Sequence, residues 1–149
     1  MRAVVQRVSQ SAVRVGDKTI GQIQQGLVIL IGIRNDDDDS HAKWLADKCV
    51  NLRIFEDQAG KFNLSALDVR GEILAISQFT LYGDCRRGRR PSFTDAAPPN
   101  ISEPLYHKFV GYLKESGLVV AQGSFGAQMM VEIFNDGPVT IIIDSNDRR

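Results

Sequence analysis

The sequence is poor in the residues on which metal centres and common hydrolytic sites are built. Its 149 residues include two cysteines, Cys49 and Cys85, and two histidines, His41 and His107. Two distant cysteines are too few for a disulfide framework or a zinc cluster. A G-x-S-x-G elbow, a Walker A motif and a dinucleotide fingerprint are also missing. We therefore expect no metal and no cofactor, and no serine–histidine catalysis.

None of these four side chains is favoured as a catalytic group. Both histidines fall in predicted helices, where a surface position is the simpler interpretation. Cys49 lies on the apolar face of the first predicted helix and is expected to pack in the core. Cys85 stands beside arginines that would lower its pKa, so it is either a weak nucleophile or an incidental loop residue.

Long hydrophobic runs and a targeting segment are missing as well. No run approaches the ~20 apolar residues that cross a bilayer. Residues 1–4 open directly into strand-like sequence, without the apolar segment of a signal peptide. We expect a cytoplasmic protein with reduced thiols and no membrane association. A hydrophobic content of 43% can fill one ordinary core, so residues 1–149 are taken as one domain.

The charges balance overall but are unevenly distributed. Lysine and arginine total 18, as do aspartate and glutamate. Residues 36–39 are four aspartates, which suit a helix cap followed by a favourable macrodipole contact. Arg86, Arg87, Arg89 and Arg90 crowd into five positions. This basic segment is either a polyanion-binding patch or a solvated loop.

Apolar periodicity predicts an α+β domain with a curved or barrel-like sheet and two main helices. One helix follows the aspartate run, and the other spans residues 103–116. A long loop is expected over residues 83–100. The predicted strands cover residues 2–15, 18–24, 27–33, 53–56, 72–82, 119–121, 129–134 and 139–144.

Two segments remain that could carry chemistry. Ser77, Gln78 and Thr80 follow a buried strand, where unpaired polar groups cost roughly 1–3 kcal/mol each. They are either satisfied at the strand end or face a ligand. Gly137-Pro138 interrupts two strand-like runs, as a plain hairpin turn or as part of the same site. With no base nearby, such a site would act through oriented hydrogen-bond donors.

Four segments together closely resemble the D-aminoacyl-tRNA deacylase family. They are MRAVVQRV at residues 1–8, SQFTL at 77–81, G-x-RPSF at 88–93 and NDGPVT at 135–140. The resemblance covers nearly the whole chain. It implies a homodimer with active sites at the subunit interface, which removes D-amino acids, and glycine, from tRNA.

The resemblance also implies roles for individual residues. Ser77, Gln78, Phe79 and Thr80 would line the pocket for the terminal adenosine and the ester. The backbone N–H groups of Phe79 and Thr80 would face the scissile carbonyl oxygen. Thr80 is one candidate nucleophile. Assistance by the 2′-OH of the terminal ribose is the alternative that we favour, because no residue in 77–81 is a base able to activate Thr80.

The remaining implied roles concern selectivity and RNA contact. Gly137-Pro138 resembles a Gly-cisPro motif that enters the pocket of the partner subunit, and Arg7 would help to fix it. A pocket-wall segment is implied for Phe125, Gly126, Ala127 and Met129. The four arginines Arg86, Arg87, Arg89 and Arg90 would bind tRNA phosphates.

Two other functions stay open from the sequence. A non-catalytic RNA-binding module could use the arginine-rich loop, although Phe93 is the one aromatic residue interleaved with it. A metal-dependent hydrolase would need a ligand cluster, which the sequence does not offer.

Overall fold

The structure is a computed structural model that describes residues 1–148. Within these residues the fold has eight strands and three helices, with a short 3₁₀ helix at Phe79–Tyr82 and another at Ser145–Asp147. In chain order the elements are β1 (Arg2–Val15), β2 (Lys18–Ile23), β3 (Gly26–Gly32), α1 (Asp39–Val50), β4 (Phe55–Glu56), β5 (Phe62–Leu64), α2 (Ala66–Val69), β6 (Glu72–Ser77), α3 (Pro99–Glu115), β7 (Val120–Gln122) and β8 (Met130–Asp144).

The main sheet is mixed and curls into a barrel-like shape around β1. Its strand order is β2-β1-β3-β6-β7, and β8 pairs with the other side of β1. The long β1 serves two neighbours in turn: Arg2–Val8 pairs with β3, and Ser11–Val15 pairs with β2. The β1–β8 register shifts on both sides of Val8, where the sheet bends. The predicted α+β class with a barrel-like sheet is confirmed.

Helices α1 and α3 cover one face of this sheet. The apolar run of β3 is buried on both faces: Leu27 and Ile29 join the core beneath the helices, and Val28 joins a second cluster across the sheet. Cys49 is fully buried in the first cluster, and Cys85 is exposed. None of the helices within residues 1–148 has the length and apolar character needed to cross a membrane.

Helix α1 begins where the aspartate run predicted. Asp38 is the N-cap, and its carboxylate accepts a hydrogen bond from the His41 backbone N–H at 3.1 Å. Hydrogen bonds from Ser40 and His41 lower the pKa of Asp38 below its usual range. His41 completes this capping box with its ring, so its role in the structure is to hold the helix start.

Several predicted boundaries are wrong. Helix α3 begins at Pro99, not at residue 103, because a proline is well suited to a first helical turn. The loop is correspondingly shorter, and a backbone pair between Asp84 and Ser92 closes it. A third, one-turn helix, α2, was not predicted. Gly137-Pro138 is not a hairpin turn, since it lies inside the continuous strand β8.

Candidate active site

A cavity of about 560 Å³ opens where β6 ends. Its apolar part comes from Ile31, Ile33 and Ile76, on the neighbouring strands β3 and β6 and just past β3. Seven of the residues singled out in the sequence also line it: Ser77, Gln78, Phe79, Phe125, Gly126, Ala127 and Met129. Segments far apart in the sequence thus meet around one pocket, because β6 and β7 are parallel neighbours.

The end of β6 leaves two backbone donors free. The strand stops at Ser77, not at residue 82 as predicted, and the Gln78 N–H makes a last sheet-like bond to the Ile31 carbonyl at 2.7 Å. The 3₁₀ helix then starts at Phe79, and the first N–H groups of a helix have no partner within it. Within residues 1–148, neither the Phe79 nor the Thr80 N–H donates a hydrogen bond.

The Thr80 hydroxyl already has a partner. Gln78 Nε2 donates a hydrogen bond to Thr80 Oγ1 at 2.5 Å. Thr80 is exposed and is not among the residues that line the cavity. A nucleophilic hydroxyl needs a base that takes its proton, whereas the Gln78 amide nitrogen only donates. The contact therefore holds Thr80 in place without activating it.

Phe79 joins the pocket to the arginine-rich loop. Its exposed ring meets the Phe93 ring edge-on, with centroids 5.1 Å apart and planes at 71°. Gly83 allows this approach, since a Cβ there would lie 3.1 Å from a Phe93 ring carbon and from the Thr80 carbonyl oxygen. The loop therefore begins directly at the edge of the cavity.

The four arginines of the loop differ in their charge environment. Arg86 donates from Nε and Nη2 to the two carboxylate oxygens of Asp84, each at 2.8 Å, which lowers the pKa of Asp84 to about 2. Arg87, Arg89 and Arg90 are exposed and form no ion pair with any residue in 1–148. Three guanidinium groups are thus left for an anionic partner.

Tyr106 supports the far wall of the cavity, a role that the sequence pattern does not indicate. Its ring lies 5.9 Å from that of Phe125, and its hydroxyl donates to the Ala75 carbonyl at 2.9 Å. Ala75 belongs to β6, so the Tyr106 side chain connects α3 to β6 and to Phe125, which line two walls of the cavity. Burial raises the pKa of Tyr106 to about 12. The available signal was a tyrosine on the apolar face of α3, next to Leu105.

Replacement of Tyr106 by phenylalanine tests this support. We expect Tyr106→Phe to lower the free energy of unfolding by about 1 kcal/mol, because a buried hydrogen bond is lost while the ring remains. The folded state favours the neutral phenol, so this stability is complete below the unfolded pKa of about 10. It is lost as pH rises towards the folded pKa of about 12.

Urea titrations from pH 8 to about 11 check both effects. The variant should lose less stability than the wild type over the alkaline range. Tyr112→Phe is the control, since the Tyr112 hydroxyl hydrogen-bonds to Asp39 at the surface and its loss should change the free energy of unfolding less. Parallel alkaline curves for Tyr106→Phe and the wild type would contradict the assignment.

A second group of predicted residues lies apart from the cavity lining. Arg7, on β1, is 7% exposed, and its Nε donates to the Asp136 carbonyl at 2.9 Å. Gly137 has a φ of +139°, and a Cβ there would lie 2.7 Å from a Val139 methyl and 3.2 Å from Arg7 Nη2. The Gly137-Pro138 bond is cis. Arg7, Gly137 and Pro138 do not line this chain's own cavity.

No group of three or more histidine, cysteine or acidic side chains within residues 1–148 could hold a metal ion. The polar groups of the residues that line the cavity are backbone N–H groups, the Ser77 and Ser102 hydroxyls and the Gln78 carboxamide, and the Ser102 hydroxyl already donates to the Pro98 carbonyl. Such groups can orient an ester and polarise its carbonyl, but they cannot act as a strong base.

Known proteins with a similar sequence and fold indicate the family to which this site belongs. A family model described as D-Tyr-tRNA(Tyr) deacylase matches residues 4–144. The D-aminoacyl-tRNA deacylase of Thermotoga petrophila is 58% identical over 146 residues, which cover 98% of each chain. A solved structure of a c-Myc DNA unwinding element binding protein is 40% identical, with a TM-score of 0.91 over 97% of this chain and 98% of its own.

A more distant structure agrees on the fold alone. A probable eukaryotic D-amino acid tRNA deacylase has a TM-score of 0.83 at 18% identity, over 95% of this chain and 97% of its own. The fold and these relatives together define the class: the protein is a deacylase, an enzyme of the hydrolase class. The chain belongs to the D-Tyr-tRNA(Tyr) deacylase family. The resemblance seen in the sequence is confirmed.

Proposed function

We propose that the protein hydrolyses the ester that links a D-amino acid, or glycine, to the 3′ end of tRNA. The observation that carries this is a cavity with an apolar wall that Phe79 also lines, where the N–H groups of Phe79 and of the next residue, Thr80, are free. A terminal adenosine suits the apolar wall, and an ester carbonyl suits the paired donors. In this role the protein would act on aminoacyl-tRNA in the cytoplasm.

The two N–H groups would act on the developing oxyanion. As water attacks the carbonyl carbon, negative charge grows on the carbonyl oxygen, and donors fixed before the reaction stabilise it without reorganising. The rigid position of these donors follows from the Gln78 bond to Ile31 on one side and the 3₁₀ turn on the other. This part of the site needs no charged side chain.

The attacking water would be assisted by the 2′-OH of the terminal ribose. The Thr80 hydroxyl accepts a hydrogen bond from an amide donor, and no base contacts it within residues 1–148. This argues against Thr80 as the nucleophile and favours the ribose hydroxyl. The 2′-OH is adjacent to the ester in every aminoacyl-tRNA with a 3′-linked amino acid. Its proximity alone gives it a high effective concentration.

Selectivity for the D configuration would come from a second copy of the chain. Strand β8 pairs with β1 on one side only among the described strands, and it exposes Met130, Phe134 and Ile142 by 63%, 54% and 69%. Exposed apolar residues on an open edge favour association between copies. In a homodimer built on this edge, Gly137-Pro138 of one subunit would complete the cavity of the other.

The backbone at Gly137-Pro138 would then face the substrate's α-carbon. An L side chain would collide with this wall, whereas a D side chain points away and glycine has none. Selectivity of this kind rests on rejection of the wrong isomer and not on tight binding of the right one. The wall can keep this position only with a glycine, because the space beside Gly137 is already filled by Val139 and Arg7.

A hydrolysis assay tests the proposed function. Purified protein is mixed with matched D- and L-aminoacyl-tRNA and with glycyl-tRNA, with and without a chelator. We expect turnover of the D and glycyl substrates, protection of the L substrate and no effect of the chelator. Binding without turnover would favour an RNA-binding module, and activity lost with chelator would favour a metal-dependent hydrolase.

The arginine-rich loop gives a separate prediction about tRNA binding. Arg87→Ala or Arg89→Ala should each reduce the slope of log affinity against log salt by about 0.7–0.9, because each free guanidinium displaces about one counter-ion. The double variant Asp84→Asn/Arg86→Gln is the matched control, since it removes an existing ion pair without changing net charge. Filter binding across a salt series measures the slopes. Equal slopes for Arg87→Ala and the wild type would remove this residue from the interface.

A further inference from the structure

Phe62 is a large apolar side chain with no place in the core. It lies on β5 of the short β4–β5 hairpin and is 53% exposed. The hairpin is nonetheless well built: Arg53 Nε donates to the Asn63 carbonyl at 2.8 Å, and Leu64 packs against the main core. A fixed hairpin therefore holds an aromatic ring at the surface, where it gains little from burial.

The ring of Phe62 faces a buried cation. The Arg7 guanidinium carbon lies 5.2 Å from the centroid of the ring, within the range of a cation–π contact. On its other sides Arg7 donates from Nη1 to the Ile54 carbonyl at 2.9 Å and from Nε to the Asp136 carbonyl at 2.9 Å. The Asp136 carboxylate is farther away, at 3.8 Å from Nε, and is half exposed.

Arg7 in turn sets the position of the Gly137 segment. Its Nε holds the carbonyl of the residue before Gly137, and its Nη2 lies within 3.2 Å of where a Gly137 Cβ would stand. Asn135 fixes the other end of this segment through its side chain, which accepts from the Val139 N–H at 2.7 Å. The segment is therefore held from two sides, and Arg7 is the link to the β4–β5 hairpin.

We propose that Phe62 is a positioning residue for stereoselectivity: its ring holds the Arg7 guanidinium against Asp136 and so fixes the Gly137 segment. This rests on the proposed function, in which that segment excludes L substrates. The ring restricts Arg7 to the orientation in which both of its backbone contacts form. Without the ring, Arg7 can turn towards water and the segment gains freedom.

Two variants of Phe62 test whether the aromatic ring is required, or only an apolar side chain at the surface. Phe62→Ala removes the ring, and Phe62→Tyr keeps its face while adding a hydroxyl that can point to solvent. Val119→Ala is the control, because Val119 is likewise an exposed apolar residue, at 62%. We expect the D-to-L ratio of kcat/KM to fall about tenfold in Phe62→Ala and to stay near wild type in Phe62→Tyr and Val119→Ala.

A measurement without substrate tests the contact itself. Hydrogen exchange of the Arg7 Nε–H with water is followed by ¹⁵N-detected NMR, with the signal assigned by its loss in Arg7→Lys. Exchange should accelerate about tenfold in Phe62→Ala and remain slow in Phe62→Tyr. Unchanged exchange in Phe62→Ala would overturn the proposal, as would a change in sedimentation that showed Phe62 to act in association between copies.

The role of Phe62 and the proposed function can fail independently in these two experiments. If the wild type shows no preference for D substrates, the proposed function fails, and the exchange measurement still decides whether Phe62 holds Arg7. If the wild type is selective and Phe62→Ala stays equally selective, the role of Phe62 in selectivity fails while the proposed function stands.

Discussion

A tRNA that ends in 2′-deoxyadenosine, with its D-amino acid on the 3′ oxygen, should be hydrolysed about 10²–10⁴-fold more slowly than the ribose form. This is the usual contribution of a positioned group that transfers a proton. Thr80→Val should keep turnover of the ordinary substrate within about threefold, because the Thr80 hydroxyl accepts a hydrogen bond from Gln78 and no base within residues 1–148 contacts it. Single-turnover kinetics on both substrates give the two rates.

The deoxy substrate and Thr80→Val have opposite expected outcomes if the 2′-OH assists and if Thr80 is the nucleophile. If Thr80 is the nucleophile, Thr80→Val loses most of its activity and the deoxy substrate reacts at nearly the normal rate. The valine keeps the branched shape at an exposed position, so a folding defect is not expected. Binding of the deoxy substrate is measured in parallel, since a loss of affinity alone would contradict a role for the 2′-OH in the chemical step.

Gly137→Ala should weaken discrimination between D and L substrates, lowering the D-to-L ratio of kcat/KM about 10²-fold. The new Cβ would stand 2.7 Å from a Val139 methyl and 3.0 Å from the Val139 nitrogen, so the backbone must shift. A φ of +139° is also unfavourable for any residue with a side chain. We expect a loss of about 1–3 kcal/mol in the free energy of unfolding.

Gly16→Ala is the matched control for this variant. Gly16 also has a positive φ, +57°, but a Cβ there would meet no atom within 4 Å. Its cost is therefore conformational alone, and stereoselectivity should be unchanged. Full protection of L-aminoacyl-tRNA by folded Gly137→Ala, measured beside this control, would rule out the wall at Gly137 as the source of selectivity.

Much of the fold could be predicted because its sequence patterns are local. The unbroken apolar run of β3 requires burial on both faces, and Asp38 offers a capping side chain before an apolar helical face. The boundaries failed where tertiary contacts decide. Strand β6 stops at Ser77 because Ile31 provides its last partner, and α3 starts early because Pro98 is its N-cap and Pro99 is its first residue.

The pocket shows the same division. Ser77 and Gln78 stood out as polar residues after a buried strand. Phe79, Phe125, Gly126, Ala127 and Met129 were indicated by the family resemblance. Tyr106 did not, since an aromatic residue on an apolar helix face usually serves packing alone. Its link to Phe125 and Ala75 depends on how α3 crosses the sheet. Nothing local in the sequence encodes that crossing.

The sequence by itself determined the class of the fold and the likeness to a deacylase family. These follow from residue types and periodicity, which are properties of short segments. The tertiary structure alone decided which donors are free, that Gln78 engages Thr80, and that Phe62 faces Arg7. Such facts depend on contacts between segments far apart in the chain, and their geometry exists only once the sheet has closed around β1.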